Sequence, residues 1–260
     1  MTPRGDAVRS DHSAAYFGSA PVIARYRVEP YLHDGERWFL ARHCGGNGQR
    51  VRALDVGCGA GRLTWFLHEY GADTTACDVS GAMMRLARER LPCVPLLQGD
   101  AACLPLQDGT FDLVTFAYNG IDYLAPRAMR LQAMGEAWRV LRPGGAFLMS
   151  SHNLWALLFG VPRHLLRPRS LARALLFAAG HLARGTFFRQ EAFIPDIIDG
   201  LLTYYGRPGR VVRDLESVGF REVNVRPNRP WLVALRELPG GSLITRLAEP
   251  WPYYVCRKTC

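Results

Sequence analysis

Three glycines at alternate positions, Gly57, Gly59 and Gly61, have the spacing in this sequence that most directly suggests a binding function. They follow an apolar run typical of a buried strand, and from about Arg62 the apolar spacing is that of a helix. Glycine lets the backbone turn sharply and lets a ligand approach where a β-carbon would prevent it. The N-terminus of the following helix offers unpaired N–H groups and a positive dipole end to an anionic group. The segment therefore predicts a cradle for a nucleotide cofactor.

A carboxylate at Asp78 narrows the class of ligand. It lies near the end of the β-rich run from Asp73 to Val79, about 20 positions after Gly57, where an acid on the second strand meets a ribose diol. The spacing G-x-G-x-G differs from the G-x-G-x-x-G pattern that nicotinamide sites favour. We therefore predict an adenosine-bearing cofactor with a free ribose, other than a nicotinamide dinucleotide.

Three further motifs follow the glycine loop in order along the chain. LLQGDAACLP places Asp100 and Ala101 after a third apolar run, FDLVTFAYN is a fourth run, and LRPGG precedes a fifth. Together with LDVGCGAGR, these motifs resemble the class I S-adenosylmethionine-dependent methyltransferases, particularly the ubiquinone-type and small-molecule branch. The resemblance covers about residues 50 to 153 and is weak outside that range.

The resemblance implies S-adenosylmethionine as the cofactor and gives residues of this chain a role toward it. Asp55 would orient the glycine loop, the three glycines would face the methionine part, and Asp78 would hold the ribose hydroxyls. Asp100 would contact the adenine amino group and the N–H of Ala101 the ring, although Asp100 would alternatively cap the turn before Leu104. The predicted cofactor-binding set is Asp55, Gly57, Cys58, Gly59, Gly61, Asp78, Val79, Met83, Asp100, Ala101, Ala117 and Tyr118.

The chemistry that the resemblance implies needs few catalytic groups. Methyl transfer from a sulfonium is an in-line displacement with an activated leaving group, so the protein's main task is to position the acceptor. A hydroxyl acceptor also benefits from a general base, a role suited to histidine near neutral pH. His152 lies at the expected carboxyl end of the fifth strand, where open α/β sheets bind ligands. We predict His152 as this base, or alternatively as a pocket wall, and Tyr118 and Asn119 as residues that orient the acceptor.

These residues need a framework of alternating strands and helices, which predicts a parallel sheet covered by helices on both faces. Strands are expected at about 51–56, 73–78, 94–98, 111–117 and 146–152, and helices at about 61–70, 80–91 and 126–141. Pro143, Gly144 and Gly145 are expected to end the last of these helices. A helix in GRVVRDLESVG and strands in FREVNVR and YYVCRK complete a three-layer, Rossmann-like α/β fold. The resemblance implies seven strands, mostly parallel, with the last one antiparallel.

The other segments divide the chain into four regions. Residues 1–50 are predicted to hold a disordered tail and a helical segment that either covers the cofactor as a lid or closes the sheet edge. Residues 51–153 are the cofactor-binding core. Residues 154–207 are predicted to form a basic helical cap, and residues 208–260 the rest of the core with a second insertion at 227–252. Insertions at these places are expected to build the substrate pocket.

The cap region has a distinct charge pattern. From Leu154 to Gln190 it contains six arginines, including Arg163, Arg167, Arg169 and Arg173, and no aspartate or glutamate. Paired arginines would bind an anionic acceptor, whereas a basic amphipathic helix would contact a membrane surface or a lipid-like acceptor. A solvated arginine face over an apolar underside is a third interpretation. All three remain open.

Composition limits the other functions. The formal net charge is +9, but every basic residue except Lys258 is an arginine and the charges are spread along the chain, so nucleic acid is not indicated. Seven cysteines without C-x-x-C or metal-ligand spacing fit a reducing cytosol, and we recognise no secretory signal or membrane span. We expect a cytoplasmic enzyme that methylates oxygen, nitrogen or carbon of a small molecule, such as a secondary metabolite or quinone precursor. The alternatives are an RNA methyltransferase and a non-catalytic cofactor-binding protein.

Overall fold

The computed structural model describes residues 15–44, 50–156, 179–180, 182–195, 201–228, 247 and 249–259. The strands in these residues are β1 Arg52–Val56, β2 Asp73–Asp78, β3 Leu96–Gln98, β4 Phe111–Phe116, β5 Leu141–Ser150, β6 His152–Asn153, β7 Glu191–Pro195, β8 Leu202–Gly206, β9 Phe220–Arg226 and β10 Tyr253–Lys258. The helices are α1 Ala20–Tyr26, α2 Asp34–His43, α3 Arg62–Glu69, α4 Gly81–Arg90, α5 Arg127–Val140 and α6 Pro208–Val218. Short 3-10 turns occupy Gly120–Tyr123 and Thr186–Phe188.

The main sheet has seven strands in the order β3-β2-β1-β4-β5-β10-β9. Strands β1 to β5 pair in parallel, whereas β10 runs antiparallel to both β5 and β9. The prediction of a mostly parallel, seven-stranded sheet with an antiparallel last strand is confirmed. The strand order reverses between β1 and β4, so a crevice for ligands is expected at the carboxyl ends of these two strands.

The core occupies both faces of this sheet because successive side chains of a strand point to opposite faces. Leu54 and Val56 of β1 belong to the cluster that includes buried residues of α5 and α6. Ala53, on the opposite face of β1, packs with Phe39 of α2 and Leu67 of α3. Burial on both faces explains why the strands read as apolar runs.

The start of β5 differs from the prediction. Helix α5 ends at Val140 and β5 begins directly at Leu141, so Pro143, Gly144 and Gly145 lie within the bounds of the strand and do not end the helix. Pairing with β4 shifts in this stretch, where residues 142–145 form a bulge. Gly144 has a φ of 79°, a left-handed conformation that favours glycine. The glycines therefore serve the bulge.

A second, three-stranded sheet has the order β6-β8-β7. Strand β6 pairs in parallel with β8, and β7 pairs antiparallel with β8. Strands β7 and β8 belong to the cap region, for which only helices were expected. The predicted cap residues Arg163, Arg167, Arg169 and Arg173 lie outside the described residues. The predicted N-terminal tail, residues 1–14, and residues 229–246 of the second insertion lie outside them too.

The N-terminal helices reach two different parts of the core. Val22 of α1 packs with Ala60 of the glycine loop and with Met83 of α4. Phe39 and Leu40 of α2 are fully buried in the cluster on the sheet. Helix α1 therefore lies at the glycine loop, while α2 covers the sheet. Over the described ranges, no helix combines the length and apolar character needed to cross a bilayer.

Candidate functional site

A cavity of about 380 Å³ lies at the carboxyl ends of β1, β2 and β4. Its wall contains the glycine loop, the loop after β4 and residues between Tyr16 and Tyr31 of the N-terminal segment. Every member of the predicted cofactor set lines this cavity except Gly61. The predicted catalytic residues His152 and Tyr118 line it too. The fold thus brings the two predicted groups of residues into one space.

The glycine loop has a left-handed backbone at all three glycines, with φ values of 62°, 54° and 77° at Gly57, Gly59 and Gly61. A β-carbon at Gly57 would lie 2.6 Å from Phe116, and one at Gly61 would lie 2.9 Å from Leu91. At Gly59, the nearest heavy atom of the described residues would be 3.9 Å away. The described part of the chain therefore leaves space beside Gly59, where a ligand can approach the backbone.

Asp78 accepts two backbone hydrogen bonds of 2.8 Å, from Gly59 N to Oδ2 and from Ser80 N to Oδ1. Burial raises the pKa of Asp78, and these N–H groups oppose the rise. The carboxylate thus holds the glycine loop while lining the cavity. Each carboxylate oxygen has a further lone pair, so Asp78 can also accept hydrogen bonds from a ribose diol.

Asp55, near the end of β1, is almost fully buried. Thr64 of α3 and Thr115 of β4 donate their hydroxyls to its two oxygens, each at 2.7 Å. Burial raises the pKa of Asp55 to about 6, although both hydroxyls favour the ionised form. The carboxylate joins β1, β4 and the helix after the glycine loop. This placement is what a role in orienting that loop requires.

Asp100 caps a turn and also lies where it can contact an adenine. Its Oδ1 accepts the N–H of Ala102 at 2.8 Å, which is a turn-capping contact. Asp100, Ala101 and Val79 also line the cavity. A carboxylate has about four lone-pair sites, so the capping bond leaves room for an adenine amino group.

Cys58, Met83 and Ala117 contribute buried apolar surface to the cavity wall. The Cys58 thiol lies 3.8 Å from the sulfur of Met84. Burial raises the pKa of Cys58 well above its ordinary value. The thiol therefore stays protonated and acts as a small apolar group, since only the thiolate is nucleophilic.

The chain leaves β4 through two consecutive residues with positive φ, Tyr118 at 54° and Asn119 at 61°. Such conformations are uncommon for residues other than glycine and are found at constrained functional turns. Tyr118 stacks on His33 with ring centroids 5.5 Å apart, and Asn119 N donates to Ser150 Oγ at 2.8 Å. Burial raises the pKa of Tyr118. Its phenol therefore stays neutral, which suits it to orienting a ligand.

His152 is held by Asp122, a residue that was not predicted from the sequence. Asp122 Oδ2 lies 2.8 Å from His152 Nδ1 and accepts the backbone N–H of His152 at 2.6 Å. Asp122 Oδ1 accepts hydrogen bonds from Arg130 Nη1 at 2.5 Å and Ser151 Oγ at 2.7 Å. The other ring nitrogen, Nε2, lies 3.5 Å from Asn119 Nδ2. The imidazole is thus fixed through its Nδ1 side.

Trp251, in the second insertion, adds a wall that was also not predicted. Glu249 positions it, because the two carboxylate oxygens accept N–H groups of Trp251 at 3.1 Å and Asn228 at 2.7 Å. The Trp251 ring lies 6.2 Å from the rings of both Tyr118 and His152, at steep angles to each. This end of the cavity is therefore aromatic.

The N-terminal segment is fastened to the core by arginines. Arg62 forms a two-pronged ion pair with Glu36 of α2, with N–O distances of 2.6 and 2.7 Å. Arg90 of α4 donates to the carbonyl oxygens of Val28 and Ala60, each at 2.7 Å. Residues 15–33 thus border the cavity beside the glycine loop, where the predicted lid would lie, while α2 packs on the sheet.

The residues of the cavity fit S-adenosylmethionine, the cofactor that the sequence resemblance implies. The backbone at Gly59 has space for a ligand, Asp78 presents a carboxylate to a diol, and α3 begins beside the loop. The cavity is lined by the carboxylates of Asp55, Asp78 and Asp100. The glycine loop, Asp78 and Asp100 would hold the amino-acid, ribose and adenine parts of one molecule, and Asp55 would support the loop.

Comparison with known proteins agrees with this fit. Residues 53–145 match the family model of a methyltransferase domain. Over 107 residues the chain is 34% identical to the demethylmenaquinone methyltransferase of Beutenbergia cavernae, covering 40% of this chain and 43% of that protein. Over 142 residues it is 35% identical to the malonyl-[acyl-carrier protein] O-methyltransferase of Pectobacterium atrosepticum, covering 53% of this chain and 52% of that protein. The chain spans about half the length of these curated relatives.

The similarity of fold extends further than that of sequence. The phosphoethanolamine N-methyltransferase 2 of Haemonchus contortus, solved with S-adenosyl-L-methionine, superposes with a TM-score of 0.62 at 15% identity. The match covers 100% of this chain and 62% of that chain. At this identity the comparison supports the fold alone.

Proposed function

We propose that this protein, whose residues 53–145 match a methyltransferase domain, transfers a methyl group from S-adenosylmethionine to a small molecule. The observation that carries the proposal is the single cavity that joins the glycine loop at Gly59 and Asp78 to His152 and Tyr118. One end of this cavity suits the cofactor, and the other end has space and polar groups for an acceptor.

Some residues of the cavity bind the cofactor, and others position the acceptor. When bound, the cofactor supplies a methyl group on a sulfonium that needs no further activation. Asp78 holds the ribose, Asp55 supports the glycine loop, and Asp100 with Ala101 receives the adenine. Tyr118 and Asn119 orient the acceptor, and His152 accepts a proton where the acceptor has one to lose. Positioning of this kind accounts for a large part of the rate of a displacement reaction.

The acceptor belongs to the small-molecule class, of the quinone-precursor or secondary-metabolite type. The named activity of the Beutenbergia cavernae relative, a demethylmenaquinone methyltransferase, supports this proposal. A screen of candidate acceptors with S-adenosylmethionine, read by mass increase and by formation of S-adenosylhomocysteine, tests it. Methylated small molecules are expected. Methyl transfer to RNA alone, or cofactor binding without any transfer, would contradict the proposal.

His152→Ala tests the proposed base. For a hydroxyl acceptor, the substitution should lower kcat by about 10²–10⁴-fold, the range of a positioned general base. Affinity for S-adenosylhomocysteine should hardly change. A variant that keeps most of its kcat would reduce His152 to a pocket wall.

A further inference from the structure

The contacts of His152 indicate the chemical class of the acceptor group. We propose, resting on the methyltransferase function above, that the acceptor presents a hydroxyl, that His152 Nε2 takes its proton, and that Asp122 is the positioning residue that makes Nε2 the basic nitrogen. The described cations near His152 are already paired with carboxylates, which disfavours a carboxylate acceptor.

Hydrogen-bond donors surround the carboxylate of Asp122. Arg130 Nη1, Ser151 Oγ and the backbone N–H of His152 all donate to its carboxylate. Guanidinium and backbone N–H groups cannot accept hydrogen bonds. Asp122 therefore accepts all three of these hydrogen bonds, and the ion pair with Arg130 favours its carboxylate form.

The contact with Asp122 determines the tautomer of His152. Because Asp122 is an acceptor, Nδ1 of His152, 2.8 Å away, must carry the proton of their hydrogen bond. In a neutral imidazole the other nitrogen is then an acceptor. Nε2 thus has a lone pair, and His152 lines the cavity beside Asn119. A carboxylate in the same position plays this part in the serine protease triad.

The described cations at this end of the cavity already have carboxylate partners. Arg62, whose guanidinium lies 5.2 Å from the Tyr118 ring, already forms a two-pronged ion pair with Glu36. Arg130, behind His152, already faces Asp122. A carboxylate acceptor would need a cation that is free to pair with it, since a buried unpaired charge is costly. A neutral hydroxyl needs only an acceptor for its proton.

Two further arginines line the cavity on the cofactor side. Arg25 is an exposed residue of α1, the helix whose Val22 packs at the glycine loop. Arg90 donates to carbonyl oxygens of the lid and of the glycine loop. Arg90 is therefore engaged by backbone carbonyls beside the glycine loop, and Arg25 belongs to the helix that packs at that loop.

The proposed reaction moves a proton from the acceptor to His152 and a methyl group from sulfur to the acceptor oxygen. The acceptor O–H bond breaks and its proton forms a bond to Nε2, giving an imidazolium stabilised by Asp122. An oxygen lone pair forms the new O–C bond to the methyl group, and the C–S bond breaks with its electron pair going to sulfur. The products are a methyl ether and S-adenosylhomocysteine, and the imidazolium then releases its proton to water.

The tautomer of His152 can be measured without a known acceptor. Protein with ¹⁵N-labelled histidine and bound S-adenosylhomocysteine is examined by long-range nitrogen–proton NMR, with His152→Gln used to assign the signal. The proposal expects the Nδ1–H tautomer in the wild type and its loss in Asp122→Asn, whose amide can donate to Nδ1. An Nε2–H imidazole in the wild type would overturn it.

Kinetics test the acceptor class with matched probes, naphthol against naphthoic acid and phenol against benzoic acid. The hydroxyl members should be methylated, and Asp122→Asn should lower their kcat by about tenfold or more, toward the loss expected for a missing base. Asp214→Asn is the matched control, because Asp214 is similarly buried and paired with Arg127, but is not among the described residues that line the cavity. It should leave kcat unchanged.

The outcomes separate this proposal from the function on which it rests. Methylation of the carboxylic acids in preference to the hydroxyl probes would overturn the acceptor class while upholding methyl transfer. Equal losses in Asp122→Asn and Asp214→Asn would overturn the positioning role. If neither member of a pair reacts, the tautomer of His152 measured by NMR decides whether the proposal stands. Absence of both cofactor binding and methyl transfer would instead refute the proposed function.

Discussion

Asp78 combines a structural contact with a proposed binding role at a single residue. Its carboxylate accepts N–H groups of Gly59 and Ser80 and lines the cavity. Asp78→Ala should weaken binding of S-adenosylmethionine by roughly 1.5–3 kcal/mol, because charge-assisted hydrogen bonds to the ribose are lost. Isothermal titration calorimetry measures this change. Asp73→Ala, at the exposed start of the same strand, is the control, and equal affinity in both variants would contradict the role of Asp78.

Asp55 gives the protein a specific dependence of stability on pH. Burial raises its pKa from 3.8 to about 6, so the folded state holds a proton that the unfolded state loses between these values. The stability that Asp55 contributes is therefore present below about pH 4 and lost as pH rises to about 6, by roughly 3 kcal/mol at 1.4 kcal/mol per pKa unit. Asp55→Asn should lack this loss. Urea unfolding of both proteins across this range measures the difference, and a difference that does not change with pH would contradict the prediction.

Residues with local signals were predictable from the sequence, and residues defined by tertiary contacts were not. The glycines and Asp78 are recognisable by their spacing along consecutive elements. Asp122 meets His152 only because β4 and β5 are neighbours in the sheet. An acid and a histidine that each follow one of two adjacent strands were the available signal. Trp251 depends on contacts with Glu249, for which no local pattern exists.

At the level of elements, the lid depends on Arg90, which joins Val28 of the lid to Ala60 of the glycine loop. Arg90→Met keeps the aliphatic stem and removes both hydrogen bonds, each worth about 1 kcal/mol. S-adenosylhomocysteine should then bind more weakly and dissociate faster, as stopped-flow fluorescence would detect. Arg88→Met, at an exposed position of the same helix, is the control. Unchanged dissociation in Arg90→Met would contradict a lid role.

The elements of the core were predicted because their apolar runs and glycine turns are strong local signals. The predicted start of β5 was wrong, since Pro143 and the two glycines after it are equally compatible with a helix end and with a bulge. Strands β7 and β8 were missed because the pairing of β8 with both β6 and β7 is set by tertiary structure. The cap helices stay a prediction.

At the level of the whole molecule, the cavity wall is built partly by the residues that match the methyltransferase model and partly by segments outside that match. The core, matched over residues 53–145, supplies the glycine loop and its carboxylates. The lid, His152 of the second sheet and Trp251 of the second insertion supply other parts of the cavity wall. The sequence resemblance could therefore predict the cofactor half of the site, whereas the acceptor half depends on segments with no recognised pattern.

The most direct test of the central claim is calorimetric titration of S-adenosylhomocysteine into the wild type, Gly59→Ala and Gly109→Ala. Both glycines have left-handed backbones, with φ of 54° and 61°, but of the two only Gly59 lines the cavity. A β-carbon at Gly109 would meet no described atom within 4 Å. The wild type and Gly109→Ala should bind equally, and Gly59→Ala should bind at least about tenfold more weakly, or 1.4 kcal/mol. Equal binding by all three proteins would contradict a cofactor held at the glycine loop.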